Sequence, residues 1–228
     1  MKIVLTVPNV IALAALSFFM QETHELAHTS IGRLICGCWG ARNFNVWEIC
    51  DDCASGPPLT VLATFAGPVY SFAVIWLGYY LLTRTTANVK SVGFALIVSS
   101  MPFSRILTPL FGGGDEVFGL RMLGMDRAAA WPLAAAIVLA LAIPPVVKIY
   151  TTIQNRRKPL WLIGLLLVPF LMVGAVVFAL LQEALLRNGV LSQYWIMGSP
   201  VLVSVWLFVV VGLLAIFGRY LGTLLKEV

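Results

Sequence analysis

Charge is the scarcest property of this chain: Asp, Glu, Lys and Arg make up 11% of its 228 residues, against 60% apolar. Soluble domains carry about 25% charged residues. With a mean hydropathy of +0.95, the composition excludes an ordinary soluble domain. It points to a multi-pass integral protein whose first partner is the lipid bilayer. The net charge is +5, but no basic run is interleaved with aromatics, so a nucleic-acid partner is not expected. Long polar stretches are also missing. The longest lie around 36–59 and 113–128, too short for a soluble module of about 100 residues. Internal repeats and low-complexity tracts are absent. Histidine is nearly so, with two in the whole chain.

What the chain has instead is six hydrophobic segments, near 3–34, 60–83, 91–111, 129–148, 159–182 and 199–218. Each approaches the ~20 residues that cross a bilayer. The expected fold is an all-α, polytopic transmembrane bundle. Lys2 and the apolar run behind it resemble a signal peptide. Cleavage would detach the residues described next from most of their helix, so an uncleaved first span is expected, bent near Pro8-Asn9. Polar and ionisable residues concentrate in the first three segments. Residues 1–125 therefore read as a three-helix catalytic core, and 126–228 as further helices packed on it.

Both histidines fall in His24-Glu25-Leu26-Ala27-His28. Positions i and i+4 share a helix face, so two imidazoles at this spacing can grip one Zn²⁺. Glu25 is then placed to act as general base on a zinc-bound water. Ionisable groups at membrane depth cost free energy and need a partner or a function. Glu22 lies off the histidine face, at an interface or in a polar cavity. A hydrolytic zinc site takes three protein ligands and leaves one position for water. With no third histidine, the third ligand is a carboxylate or a cysteine. Asp115, in Phe111-Gly112-Gly113-Gly114-Asp115-Glu116, is the best candidate, because the glycines let the backbone turn there. Glu116 is the adjacent alternative. A plain helix cap is the other reading of Asp115.

These residues resemble the site-2 protease family of intramembrane zinc metalloproteases, over about residues 10–125. His24-Glu25-Leu26-Ala27-His28 is followed by Arg33-Leu34-Ile35-Cys36-Gly37, similar to that helix's usual exit. Ala66-Gly67-Pro68-Val69-Tyr70-Ser71 resembles the family's Gly-Pro-x-x-Asn signature, with Ser71 in place of Asn. Asp115 follows a proline-containing third segment (Pro102, Pro109), where the family places its aspartate ligand, although Glu116 stands where many members have Gly. The resemblance implies a zinc endopeptidase cutting transmembrane helices of other proteins in regulated intramembrane proteolysis. It implies one catalytic Zn²⁺ on His24, His28 and Asp115, Glu25 as base, and Gly67, Pro68 and Ser71 on the substrate-binding side. Such substrates include membrane-tethered regulators and remnant signal peptides. A catalytically silent scaffold of the same fold is the rival reading. Two others are a metal carrier or channel, and a chance motif.

Four cysteines, Cys36, Cys38, Cys50 and Cys53, lie between the first two segments. Disulfides, a second, structural Cys₄ zinc site and free thiols are all open. With six spans, Lys2, Arg84, Lys90, Lys148, Arg156, Arg157, Lys158, Arg219 and Lys226 share one side, and Arg33, Arg42, Arg121, Arg127 and Arg187 the other. This bias puts both termini in the cytoplasm and the 36–59 loop outside. The resemblance implies an active site nearer the cytoplasmic face, so the two expectations conflict. Arg105, inside the third segment, pairs with Glu22 or Glu25 or snorkels to an interface. Trp39, Trp47, Trp161 and Trp195 read as interfacial belt residues.

Overall fold

A computed structural model describes residues 1–54 and 59–227 of the chain. Residues 55–58 of the expected 36–59 loop, and residue 228, lie outside the described residues. The rest is helical apart from a short terminal sheet, a hairpin around Arg42–Trp47, a non-helical segment at 187–200 bridged at Tyr194 and Pro200, and short connections. Helix α1 covers Val7–Cys36, α2 Leu59–Leu82, α3 Ala87–Ser99, α4 Pro102–Leu110 and α5 Asp115–Met122. Then come α6 (Arg127–Thr152), α7 (Lys158–Val173, continuing in wider turns over Gly174–Leu186) and α8 (Val201–Phe217).

Five stretches are long and apolar enough to cross a membrane: Leu59–Leu82, Ala87–Leu110, Arg127–Thr152, Lys158–Leu186 and Val201–Thr223. They match the second to sixth expected segments. The first segment is also one helix, 30 residues long, or about 45 Å. Its polar cluster sets it apart from the other five. The expected bend at Pro8 is corrected: Thr6 caps the helix and Pro8 lies in its first turn, where a missing N–H costs nothing. The helix ends at Gly37, whose φ of 80° forms a left-handed cap with its N–H on the Arg33 carbonyl.

The third segment is not one rod. Met101 adopts φ 48°, ψ 58°, and Pro102 follows it. Proline disfavours a right-handed helical residue before it, so the chain breaks and restarts as α4. Gly112 and Gly114, with φ of 77° and 92°, then turn it into α5. Here glycine is needed, since a side chain disfavours these angles. The result is a kinked α3–α4–α5 path that returns to α1.

Close packing between α2 and α3 rests on two glycines. A Cβ on Gly78 would stand 2.7 Å from the Gly93 carbonyl oxygen, and one on Gly93 2.6 Å from that of Gly78. Lipid tails supply no hydrophobic drive between helices, so such close approach is what holds membrane helices together. Phe94, Ile75 and Ile97 fill the core beside this crossing. At the same end Lys2–Ile3 pairs antiparallel with Leu225–Lys226, so both ends of the described chain meet.

The opposite end carries a hairpin. Arg42 bridges Trp47, and the N–H of Glu48 donates to the Ala41 carbonyl. The Asn43 carboxamide oxygen accepts from the N–H groups of Asn45 and Val46, the local bonding that makes Asn a turn residue. Phe44, at the tip, is fully buried among Phe18, Leu202 and Val203. Two disulfides, Cys36–Cys53 and Cys38–Cys50, tie the hairpin's flanks to the end of α1. They correct the second-metal and free-thiol readings, since no free cysteine remains among the described residues.

Candidate metal centre

His24 and His28 lie on the inner face of α1, both buried. Asp115 reaches them as the first residue of α5. Its carboxylate Oδ2 lies 3.3 Å from His24 Nε2 and 3.6 Å from His28 Nε2, and the two Nε2 atoms are 3.2 Å apart. A tetrahedral ion with ligands at 2.0–2.1 Å requires neighbouring ligand atoms roughly 3.3 Å apart. The three separations fit that requirement. Among the described residues this is the one group of three or more His, Cys, Asp or Glu arranged to hold an ion. The cap reading of Asp115 is corrected, because Gly114 occupies the cap position and no side-chain cap bond forms.

The atoms behind the ligands suit the same purpose. His28 Nδ1 lies 2.7 Å from the Ala63 carbonyl. A carbonyl only accepts, so Nδ1 carries the proton and Nε2 is left with its lone pair toward the cluster. His24 Nδ1 lies 2.9 Å from Ser71 Oγ. Such partners orient metal-binding imidazoles. Gly67 sits directly beneath both rings: a Cβ there would overlap His28 Nε2 and stand 2.7 Å from His24 Cε1 and Nε2. Gly67 and Ser71 therefore contact the histidines. Pro68, between them, is buried in the same helix.

Burial works to raise the Asp115 carboxyl, but the His24 and His28 side chains beside it outweigh burial and hold it below the usual carboxylate range. Burial pushes the Glu116 carboxyl up, with Arg105 opposing. Glu116 stays outside the ligand cluster, and its Oε1 is buried without a hydrogen-bond partner. Arg105 Nη1 lies 3.3 Å from His24 Nε2 and 3.8 Å from Asp115 Oδ2. That replaces its expected pairing with Glu22 or Glu25. Glu22, fully buried, pairs instead with Arg42 Nη1 at 3.3 Å, and Arg42 Nε donates to Ser199 Oγ at 2.6 Å.

Glu25 is buried on the same helix as the two histidines, with Gln21 Nε2 3.4 Å from its Oε1. It opens onto a cavity of about 750 Å³ that His24, Asp115 and Arg105 also line. Thr60, Thr64, Thr108 and Asn45 give this cavity a partly polar wall. The hairpin forms another side. Trp47 stacks on His28, ring centres 4.7 Å apart and planes 7° apart, a contact that the belt reading of this tryptophan did not include. Arg42 and Trp47 were beyond sequence reasoning because only the hairpin brings them to α1. The one available signal was that a buried Glu22 requires a cation.

The chain matches no family model, no curated protein and no solved structure.

Proposed function

We propose that this protein is an intramembrane zinc endopeptidase of the site-2 protease kind, hydrolysing peptide bonds in or near transmembrane helices of other membrane proteins. The observation that carries this reading is the convergence of His24 Nε2, His28 Nε2 and Asp115 Oδ2 at tetrahedral ligand spacing, with Glu25 in the same cavity. In this reading α1 is a sixth span, and the polar cluster that sets it apart is the catalytic equipment. The α1–α2–α3/α4 unit, closed by α5, is the catalytic core.

Zinc held by the two histidines and Asp115 would supply Lewis-acid activation of water and of the scissile carbonyl. Glu25 takes the proton of the attacking water and delivers it to the leaving amine as the C–N bond breaks. The Arg105 guanidinium, at the cavity wall, offsets negative charge developing on the carbonyl oxygen. Thr60, Thr64 and Thr108 on the cavity wall offer hydrogen-bonding partners to water that the reaction requires. Cavity space beside the hairpin supports entry of an unwound substrate segment, since a helical carbonyl is hydrogen-bonded and shielded. The Ser71–His24 contact also weighs for the enzyme over the silent scaffold, because it gives Ser71 a task at the metal.

The test is metal content of the full chain in detergent, beside cleavage of a transmembrane reporter peptide. Wild type is expected to hold one zinc per chain, and His24→Ala and Asp115→Ala to lose it. Glu25→Gln is expected to keep zinc while cleavage falls about 10²–10⁴-fold. A wild type that takes up no zinc on reconstitution, or a Glu25→Gln variant that cuts normally, would sink the proposal.

A further inference from the structure

A second cavity, of about 370 Å³, opens between α1 and α7, away from the metal centre. Its wall is aliphatic along most of its length, and at one end it is bounded by Arg156 and Arg157. We propose that this slot binds one anionic phospholipid, with an acyl chain lying between α1 and α7 and the phosphate on the two guanidiniums.

Three features of the slot fit a lipid chain. It faces outward from the bundle, since its wall residues Val10, Leu160 and Val168 are 49%, 59% and 61% exposed. Its depth is built in by small side chains: Gly164 lines it, and a Cβ there would meet nothing within 4 Å. From Leu160 to Met172 it follows α7 for about 18 Å. One leaflet of a ~30 Å hydrocarbon core is slightly shorter than that.

The end of the slot selects the headgroup. Arg156 and Arg157 are exposed, and neither has an ion-pair partner among the described residues. Lys158 follows them directly. The Met1 ammonium, bonded to the Thr152 carbonyl at 2.9 Å, is close enough to feel both Lys158 and Lys90, with Glu227 the opposing acid. Basic pockets between membrane helices recognise phosphate headgroups in this way. A passing protein helix has no need of paired guanidiniums. A second copy docked slot to slot would set like charges side by side.

The test is native mass spectrometry of the full chain in detergent, titrated with phosphatidylglycerol or with phosphatidylcholine of the same acyl chains. Wild type is expected to retain one phosphatidylglycerol per chain in preference to phosphatidylcholine. The R156Q/R157Q pair should weaken phosphatidylglycerol about thirty-fold, which is about 2 kcal/mol for two charges, and weaken phosphatidylcholine less, because its choline cation already offsets the phosphate charge. Filling the slot with Gly164→Phe should weaken both lipids. Equal retention of the two lipids by wild type would overturn the proposal, as would a preference that survives R156Q/R157Q. An unaltered Gly164→Phe variant would overturn the slot. If that variant does not fold, the exposed arginine pair still decides. Zinc content reads the metal centre separately, so failure of either idea leaves the other standing.

Discussion

Ser71 and Gly67 decide whether two imidazoles can stand where an ion needs them. Ser71 Oγ meets His24 Nδ1 at 2.9 Å, and loss of such a partner costs metal affinity about 10–100-fold. Ser71→Ala is therefore expected to weaken zinc by that factor in competition with a chelator, and Ser71→Thr to restore part of it. Gly67→Ala should do more damage, because its methyl group would occupy the space of His28 Nε2. Zinc held by Gly67→Ala as tightly as by wild type would refute the close approach. His24, Glu25 and His28 are legible in the sequence because one helix turn sets their spacing. Asp115 is legible because ligand count and a run of glycines leave few alternatives. The contacts of Ser71 and Trp47 with the histidines are not, because they cross between elements whose packing no local pattern encodes.

Besides the two disulfides and the burial of Phe44, a buried ion pair holds the hairpin to α1. Arg42 and Glu22 are 3% and 0% exposed, and their bond joins the hairpin to α1 while Ser199 joins it to the segment before α8. Removing one member strands a buried charge, which costs about 3–5 kcal/mol, whereas replacing both with apolar groups is often neutral. Arg42→Met is expected to lower unfolding stability in detergent by about that much and to change Trp47 emission, as its stack on His28 loosens. Glu22→Leu with Arg42→Met should recover most of the stability. A neutral Arg42→Met would show that the pair does not hold the hairpin. Hydropathy locates the helices at this scale because apolar length is a property of each segment alone. The break at Met101 is carried by Pro102 and was readable in principle, but long apolar runs mask a change of direction.

The whole molecule has two unlike ends, and they predict how it sits in a membrane. One end gathers the paired termini and the Arg156-Arg157-Lys158 cluster. The other holds the hairpin, the two disulfides and the 187–200 segment, joined where the Arg42 N–H donates to the Gly198 carbonyl. Two independent rules place these ends alike. Lys and Arg excess marks the cytoplasmic side, and disulfides persist on the oxidising side. The hairpin end should therefore face away from the cytoplasm. An impermeant maleimide added to intact cells is expected to label Gln193→Cys at once, and Thr85→Cys only after the membrane is opened. The metal centre lies on the hairpin half of α1: His24 is twelve residues short of Cys36, about 18 Å from that helix end. In this orientation the proposed peptidase would receive its substrate and water from the oxidising side. Labelling in the reverse order would put the four cysteines in a reducing compartment. The hairpin would then lose its covalent ties in the cell, and its hold on α1 would rest on Arg42 and Glu22 and the buried Phe44.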